Sequence, residues 1–166
     1  MDDVVMTLVE QHLLLAVPEG GLVIHTACGN GALAAEICRR RPDLRLLGYD
    51  RSPAHIRSAR ERALPRATFA VFDLTLDRPP PAAGRVDAVV TSQVFRILKE
   101  PARLFLQFRR LMQPGAPLLV LETEAEGLQS RRQFLEAWGF RVAGSSGANL
   151  VAISPTPPPG VIRGWG

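Results

Sequence analysis

Apolar and polar positions follow two rhythms along this chain, and the rhythms alternate. From Asp3 to Ala16, the residues Val5, Leu8, Val9, His12, Leu13 and Ala16 recur at helical intervals and predict a first helix. The turn Pro18-Glu19-Gly20-Gly21 follows, and then the short β-rich run Leu22-Val23-Ile24-His25-Thr26. Ala32 to Arg41 reads as a helix closed by Pro42, and Leu44 to Tyr49 as the next strand. Ser52 is placed as an N-cap. Pro53 follows at the first helical position, where a missing N–H is harmless, and this helix runs to about Leu64. Further strands are predicted at Ala67–Phe72, Val86–Thr91 and Pro117–Leu121, with a Pro-rich connection at Asp77–Gly84. After Glu100-Pro101, one helical face carries Leu104, Phe105, Phe108, Leu111 and Met112, and Pro114-Gly115 stops that helix. A helix at Leu128–Trp138, a strand at Phe140–Gly144, a turn at 145–148 and a strand at Leu150–Ser154 complete the pattern.

Regular β-α-β alternation predicts a three-layer α/β/α sandwich around a mainly parallel sheet. The last two strands are joined too closely for a parallel crossover, so that pair should be antiparallel. At 166 residues the chain is one domain's length. Residues 1–154 are expected to form it. Residues 155–166, rich in Pro and Gly, read as a tail that does not pack, with Trp165 as a docking candidate. No apolar run reaches transmembrane length, and the chain opens on Met1-Asp2-Asp3 where a leader would be basic, so a cytoplasmic protein is expected, without membrane partners. Cys28 and Cys38 lie ten positions apart with no ligand spacing around them, so neither a disulfide nor a metal site is expected.

The net charge is +4, and Lys99 is the only lysine among twenty basic residues. Nine arginines stand between Arg39 and Arg66 against three acids, a local excess of +6. This stretch covers the helices after the first two strands and reads as a basic face, solvated or partner-binding rather than catalytic.

In an open α/β sheet, ligands bind outside the carboxyl ends of the strands. Candidate chemistry therefore lies at Thr26–Gly31, Asp50-Arg51, Asp73-Leu74 and 91–93. Gly29 and Gly31 permit a sharp turn into a helix N-terminus, which favours an anion. Asp50, nineteen residues after Gly31, can accept both hydroxyls of a ribose. Asp73 can accept from an exocyclic amine. Cys28 reads as a small buried residue rather than a nucleophile. Together these describe a pocket for an adenosine with an attached chain. Gly29-x-Gly31-x-x-Ala34 also satisfies a dinucleotide fingerprint, so two nucleotide readings compete at this point.

The longer pattern separates them. Val23-Ile24-His25-Thr26-Ala27-Cys28-Gly29-Asn30-Gly31, Leu47-Gly48-Tyr49-Asp50-Arg51-Ser52-Pro53, Phe72-Asp73, Val86-Asp87-Ala88-Val89-Val90 and Arg109-Arg110-Leu111-Met112-Gln113-Pro114-Gly115-Ala116 resemble, in order, the motifs of the class I S-adenosylmethionine-dependent methyltransferases. The resemblance spans about residues 4–154 and implies a seven-stranded sheet of order 3-2-1-4-5-7-6, strand 7 antiparallel. It implies S-adenosylmethionine as cofactor. Thr26–Gly31 would hold its methionine part, Asp50 the ribose hydroxyls with Arg51 flanking the adenine, and Asp73 the adenine amine with Leu74 beside the ring. Thr91 would sit near the methionyl end. His25 stands where the family has an acid, and Ala27 where it has glycine; both bear on how tightly the cofactor is held.

No residue stands out as a general base. The segment Thr91-Ser92-Gln93-Val94-Phe95 lacks the Pro-Pro-aromatic pattern of amino-methylating nucleic-acid enzymes of this resemblance. A small-molecule acceptor is expected, with Gln93, Phe95 and Arg96 best placed to meet it. RNA or protein as acceptor, and a binding module that has lost catalysis, stay open, as does a homodimer.

Overall fold

The computed structural model describes residues 3–73 and 86–155. Seven strands form one sheet: β1 (Leu22–Thr26), β2 (Arg45–Asp50), β3 (Ala67–Val71), β4 (Ala88–Ser92), β5 (Pro117–Leu121), β6 (Arg141–Ser146) and β7 (Asn149–Ile153). Their order is β3-β2-β1-β4-β5-β7-β6. Every pairing from β3 through to β5 is parallel, and β7 is antiparallel to both β5 and β6. The helices are α1 (Asp3–Val9, continued by a π-helical turn at Glu10–Leu14), α2 (Ala32–Arg40), α3 (Pro53–Glu61), α4 (Val94–Ile97), α5 (Ala102–Leu111) and α6 (Leu128–Ala137). The expected sandwich, strand order and antiparallel last strand are all present.

Strand residues alternate between two apolar layers. Val23, Leu46, Phe69, Val90 and Leu119 face a cluster completed by α1, α2 and α3. Leu22, Ile24, Val89, Leu118 and Val120 face the cluster of α5 and α6. The central strands β1 and β5 are buried at every position because helices cover both faces. On the second face Phe105 is fully buried, with the rings of Phe95, Phe108, Phe134 and Phe140 around it at centroid distances of 5.4, 5.7, 5.3 and 6.2 Å. Ring pairs of this kind contribute about 1 kcal/mol each beyond their buried area.

Four local expectations shift. The first helix widens into a π turn, so Leu13 and Leu14 both reach the core while Ala16 faces solvent. Strand β4 starts at Ala88, because Val86 bridges Met112 at the end of α5 and exchanges hydrogen bonds with Leu111 and Gln113. The final hairpin is tighter than expected. Gly147, at φ 58°, lets Gly147-Ala148 alone form the turn, and Ser145 and Ser146 stay in β6. The short α4 was not foreseen.

Much of the arginine-rich stretch makes contacts within the chain. Arg41 forks onto Asp43 and also donates to the carbonyls of Leu14, Val17 and Pro18, tying the end of the first helix to β2. Arg60 donates twice to the Phe69 carbonyl, Arg62 to that of Asn30 and Arg45 to that of Gly20. Arg39 and Arg40 pair with Glu36, and Arg40 also with Glu10. Six of the nine guanidiniums are thus engaged within the chain. Of the expected tail at 155–166, residues 156–166 lie outside the described residues. Among the described residues no helix is long and apolar enough to cross a membrane.

Gly48, inside β2, is required by packing. A Cβ there would lie 2.3 Å from Phe69 Cδ1 and 3.2 Å from Cys28 Sγ. Gly48→Ala should therefore destabilise the fold by about 1–3 kcal/mol, the usual cost of overpacking. Urea denaturation would show it as a lower midpoint at unchanged slope.

Candidate active site

The chain leaves β1 toward β2 on one side and β4 toward β5 on the other. A crevice opens where this order reverses, outside the carboxyl ends of the strands. It holds a cavity of about 290 Å³. Ala27 and Gly29 line it from the loop after β1, and Asp50, Arg51 and His55 from the β2–α3 junction. Phe72 and Asp73 follow β3, and Ser92, Gln93, Arg96 and Ile97 close the far side.

Asp50 organises one end. Its Oδ2 accepts from the Gly29 backbone N–H at 2.9 Å, and its Oδ1 from the Ser52 N–H at 2.9 Å. The carboxylate therefore ties the loop after β1 to the turn after β2. His55 Nδ1 lies 3.2 Å from the same Oδ1. Ser52 caps α3 by accepting from the His55 N–H, with Pro53 in the first turn, as the Ser-Pro pair predicts.

The glycine loop is built by close packing and positive φ. Gly31, at φ 75°, begins α2, and a Cβ on it would lie 3.0 Å from the Ala59 Cβ. Gly29 is different: a Cβ there meets nothing within 4 Å, so the loop leaves open space at the cavity wall. Ala27 holds φ 52°, a left-handed conformation that costs a residue with a Cβ about 1–2 kcal/mol. Gln93, also at the cavity, holds φ 53°. Two of the three non-glycine residues with positive φ among those described thus stand at this site.

His25 is buried at 2% exposure, its Nε2 3.3 Å from Ser92 Oγ and its Nδ1 without a hydrogen-bond partner. Burial pushes its pKa down to about 4, against the pull of the Asp50 charge. The ring is therefore neutral near pH 7 and brings no positive charge to the site. Thr26 and Thr91 sit opposite each other in register, fully buried, with Thr26 Oγ1 donating to Thr91 Oγ1 at 2.8 Å. They lock β1 to β4 and do not line the cavity. Cys28 is buried, and burial pushes its thiol up to about 12, so it is no nucleophile.

The far wall is α4. Gln93 N–H donates to the Leu121 carbonyl at 2.7 Å, and Arg96 Nη2 donates to Gln93 Oε1. Glu122, at the end of β5, is buried and accepts from the Phe95 N–H at 3.1 Å, capping α4. Burial pushes the Glu122 carboxyl up, partly offset by that N–H.

Of the residues expected from sequence, Ala27, Gly29, Asp50, Arg51, Asp73, Gln93 and Arg96 meet at the cavity. His25, Thr26, Cys28, Gly31 and Thr91 do not line it, and Leu74 lies outside the described residues. Phe95 does not line it either: its ring packs on Phe105 and Phe134, on the core side of α4. His55, Phe72 and Ile97 were missed, while Ser92 falls within the candidate stretch 91–93. The signal for His55 was its place in the first helical turn after a strand-ending Asp.

The match to known proteins decides between the two nucleotide readings. Residues 24–118 match a family described as "Methyltransferase domain". The chain belongs to the class I S-adenosylmethionine-dependent methyltransferase family. It is 31% identical over 150 residues to a trans-aconitate 2-methyltransferase of Azoarcus sp. (strain BH72), covering 87% of this chain and 56% of that protein. The chain spans about half the length of the curated relatives it matches. A methyltransferase from Aquifex aeolicus shares the fold at TM-score 0.71 and 15% identity, covering 89% of this chain and 93% of the other. The [4+2]-cyclase SpnF shares it at TM-score 0.69 and 22% identity, covering 86% and 58%. Both structural likenesses establish the fold alone.

His25 makes stability depend on pH. Its folded pKa lies below the 6.5 of an unfolded histidine, so the unfolded chain binds the extra proton between the two values. Stability is complete above pH 6.5 and falls as the pH drops toward 4. The wild type should lose about 3 kcal/mol more than His25→Asn between pH 7 and pH 4. Urea unfolding of both proteins across that range checks it.

Proposed function

We propose that this chain transfers a methyl group from S-adenosylmethionine to a small-molecule acceptor bearing a carboxylate. The reading rests on the cavity, which joins a fixed carboxylate at Asp50 to a guanidinium at Arg96 across the switch point of the sheet. The residues suit the cofactor. Asp50 offers an oriented carboxylate to sugar hydroxyls, Gly29 leaves room beside it, and Arg51, Phe72 and Asp73 surround the neighbouring space. Ser92, backed by neutral His25, supplies a hydroxyl at the β4 end without opposing a cationic ligand. When bound, S-adenosylmethionine supplies an electrophilic methyl on a sulfonium. The chain's own share is positioning and exclusion of water, which Phe72 and Ile97 serve as apolar walls.

Arg96 supports the acceptor class. It is exposed on the cavity side of α4, and a guanidinium pairs with a planar carboxylate through two parallel N–H donors. A carboxylate nucleophile has no proton to lose, which suits a site with no evident general base. A relative carries the name trans-aconitate 2-methyltransferase, and that acceptor is a polycarboxylate. An RNA acceptor is less favoured, since six of the nine clustered arginines hold the chain's own carbonyls and carboxylates.

Calorimetric titration with S-adenosylhomocysteine should show binding, and Asp50→Ala should weaken it at least 10-fold. With trans-aconitate and related small carboxylates as acceptors, Arg96→Ala should raise the acceptor KM while leaving S-adenosylhomocysteine affinity unchanged. No binding of S-adenosylhomocysteine by the wild type would reject the proposal.

A further inference from the structure

The first backbone N–H groups of a helix have no partner inside it, and the side chain just ahead of the helix normally supplies one. At α4 it does not. Gln93 makes no cap bond; its Oε1 accepts from Arg96 Nη2 instead, and its backbone is held at φ 53°. The cap comes from another strand. Glu122, at the end of β5, accepts from the Phe95 N–H at 3.1 Å, and the Val94 N–H acts on the same carboxyl. One residue earlier, the Leu121 carbonyl accepts from the Gln93 N–H at 2.7 Å. The end of β5 thus seats α4 at two points. Glu122 is itself fixed from β7, its N–H donating to Asn149 Oδ1 at 3.0 Å.

Stability alone does not call for this arrangement. Val94 and Leu98 are buried, and the Phe95 ring packs on Phe105 and Phe134. A carboxyl at 9% exposure is costly to bury, whereas a serine or aspartate at position 93 would cap the helix from its own turn. What the distant seat adds is placement. Gln93, Arg96 and Ile97 line the cavity, and the guanidinium of Arg96 is joined to Gln93, whose backbone hangs on β5. A carboxyl keeps an accepting oxygen whether ionised or protonated, so the seat does not depend on its charge. We infer that Glu122 is a positioning residue for the acceptor: by seating α4 on the end of β5, it holds the Arg96 guanidinium toward the cavity. The inference rests on the reading of Arg96 as the group that meets an acceptor carboxylate.

Two substitutions separate reach from charge. Glu122→Gln keeps the length and a carbonyl oxygen but loses the charge. Glu122→Asp keeps the charge but loses one methylene, which withdraws its oxygens from the Phe95 N–H. Kinetics use trans-aconitate, or a related small carboxylate that the wild type methylates. Glu122→Asp should raise the acceptor KM about 10-fold, the worth of one net hydrogen bond at the upper end of the usual range, with kcat and S-adenosylhomocysteine affinity unchanged. Glu122→Gln should recover most of that loss. Glu122→Asp combined with Arg96→Ala should lose no more than Arg96→Ala alone, because Glu122 acts through Arg96. Circular dichroism and thermal unfolding confirm that each variant folds.

An unchanged KM in Glu122→Asp would overturn the proposal. So would losses that multiply in the double variant, or a matching loss of S-adenosylhomocysteine affinity, which would make Glu122 a support of the whole cavity. Glu122→Gln impaired beside a near-normal Glu122→Asp would overturn it by making charge the point, and a Glu122→Asp chain that does not fold would assign the residue to the fold instead. A wild type that binds S-adenosylhomocysteine but methylates no small carboxylate would overturn the acceptor reading, and this proposal with it.

Discussion

The Asp50 carboxylate is the point on which this site depends. It stands at the end of β2, buried at 8% exposure, and draws in N–H groups from two separate loops. Without it, the Gly29 and Ser52 N–H groups would lose this acceptor, and the loop after β1 would lose one of its ties to β2, the Cys28 N–H to Tyr49 carbonyl bond remaining. Charge-assisted bonds to backbone N–H groups are the stronger kind, and here they fix a carboxylate at the mouth of the cavity. The two backbone bonds occupy one acceptor position on each carboxylate oxygen and leave the other.

A second set of polar residues closes the sheet behind the cavity. Thr26 and Thr91 satisfy each other across the β1–β4 seam, and His25 reaches Ser92 at the same seam. A carboxylate at position 25 would lie close to Asp50 in a buried setting, where like charges are costly. A histidine held neutral by burial avoids that repulsion. Ala27 tells a related story. The loop keeps the left-handed backbone that glycine would adopt freely, and the surrounding hydrogen bonds hold it there.

Much of the candidate site was legible before the fold was known. Asp50, Asp73 and Gly29 follow strands that periodicity locates well, and strand ends face ligands in this architecture. What escaped notice was contributed by side chains whose direction depends on packing. His55 looked like an ordinary helix residue until the first turn of α3 set it beside Asp50. Phe95 and Arg96 looked alike as acceptor candidates. The four-residue α4, capped by buried Glu122, turns one into the aromatic core and the other toward the cavity. The arginine excess was plain from composition, yet its use was not, because a guanidinium seeking a carbonyl must wait for the fold to bring one near.

The sequence by itself determined the order of elements, the mainly parallel sheet and the strand ends that carry Asp50 and the glycine loop. Those follow from local periodicity, capping and turn chemistry, which act over a few residues. Tertiary structure alone decided which hydroxyls pair behind the cavity, which arginines are engaged and where His55 points. Each of these turns on contacts between residues distant in the chain, where a shift of one helical step moves a side chain from core to cavity.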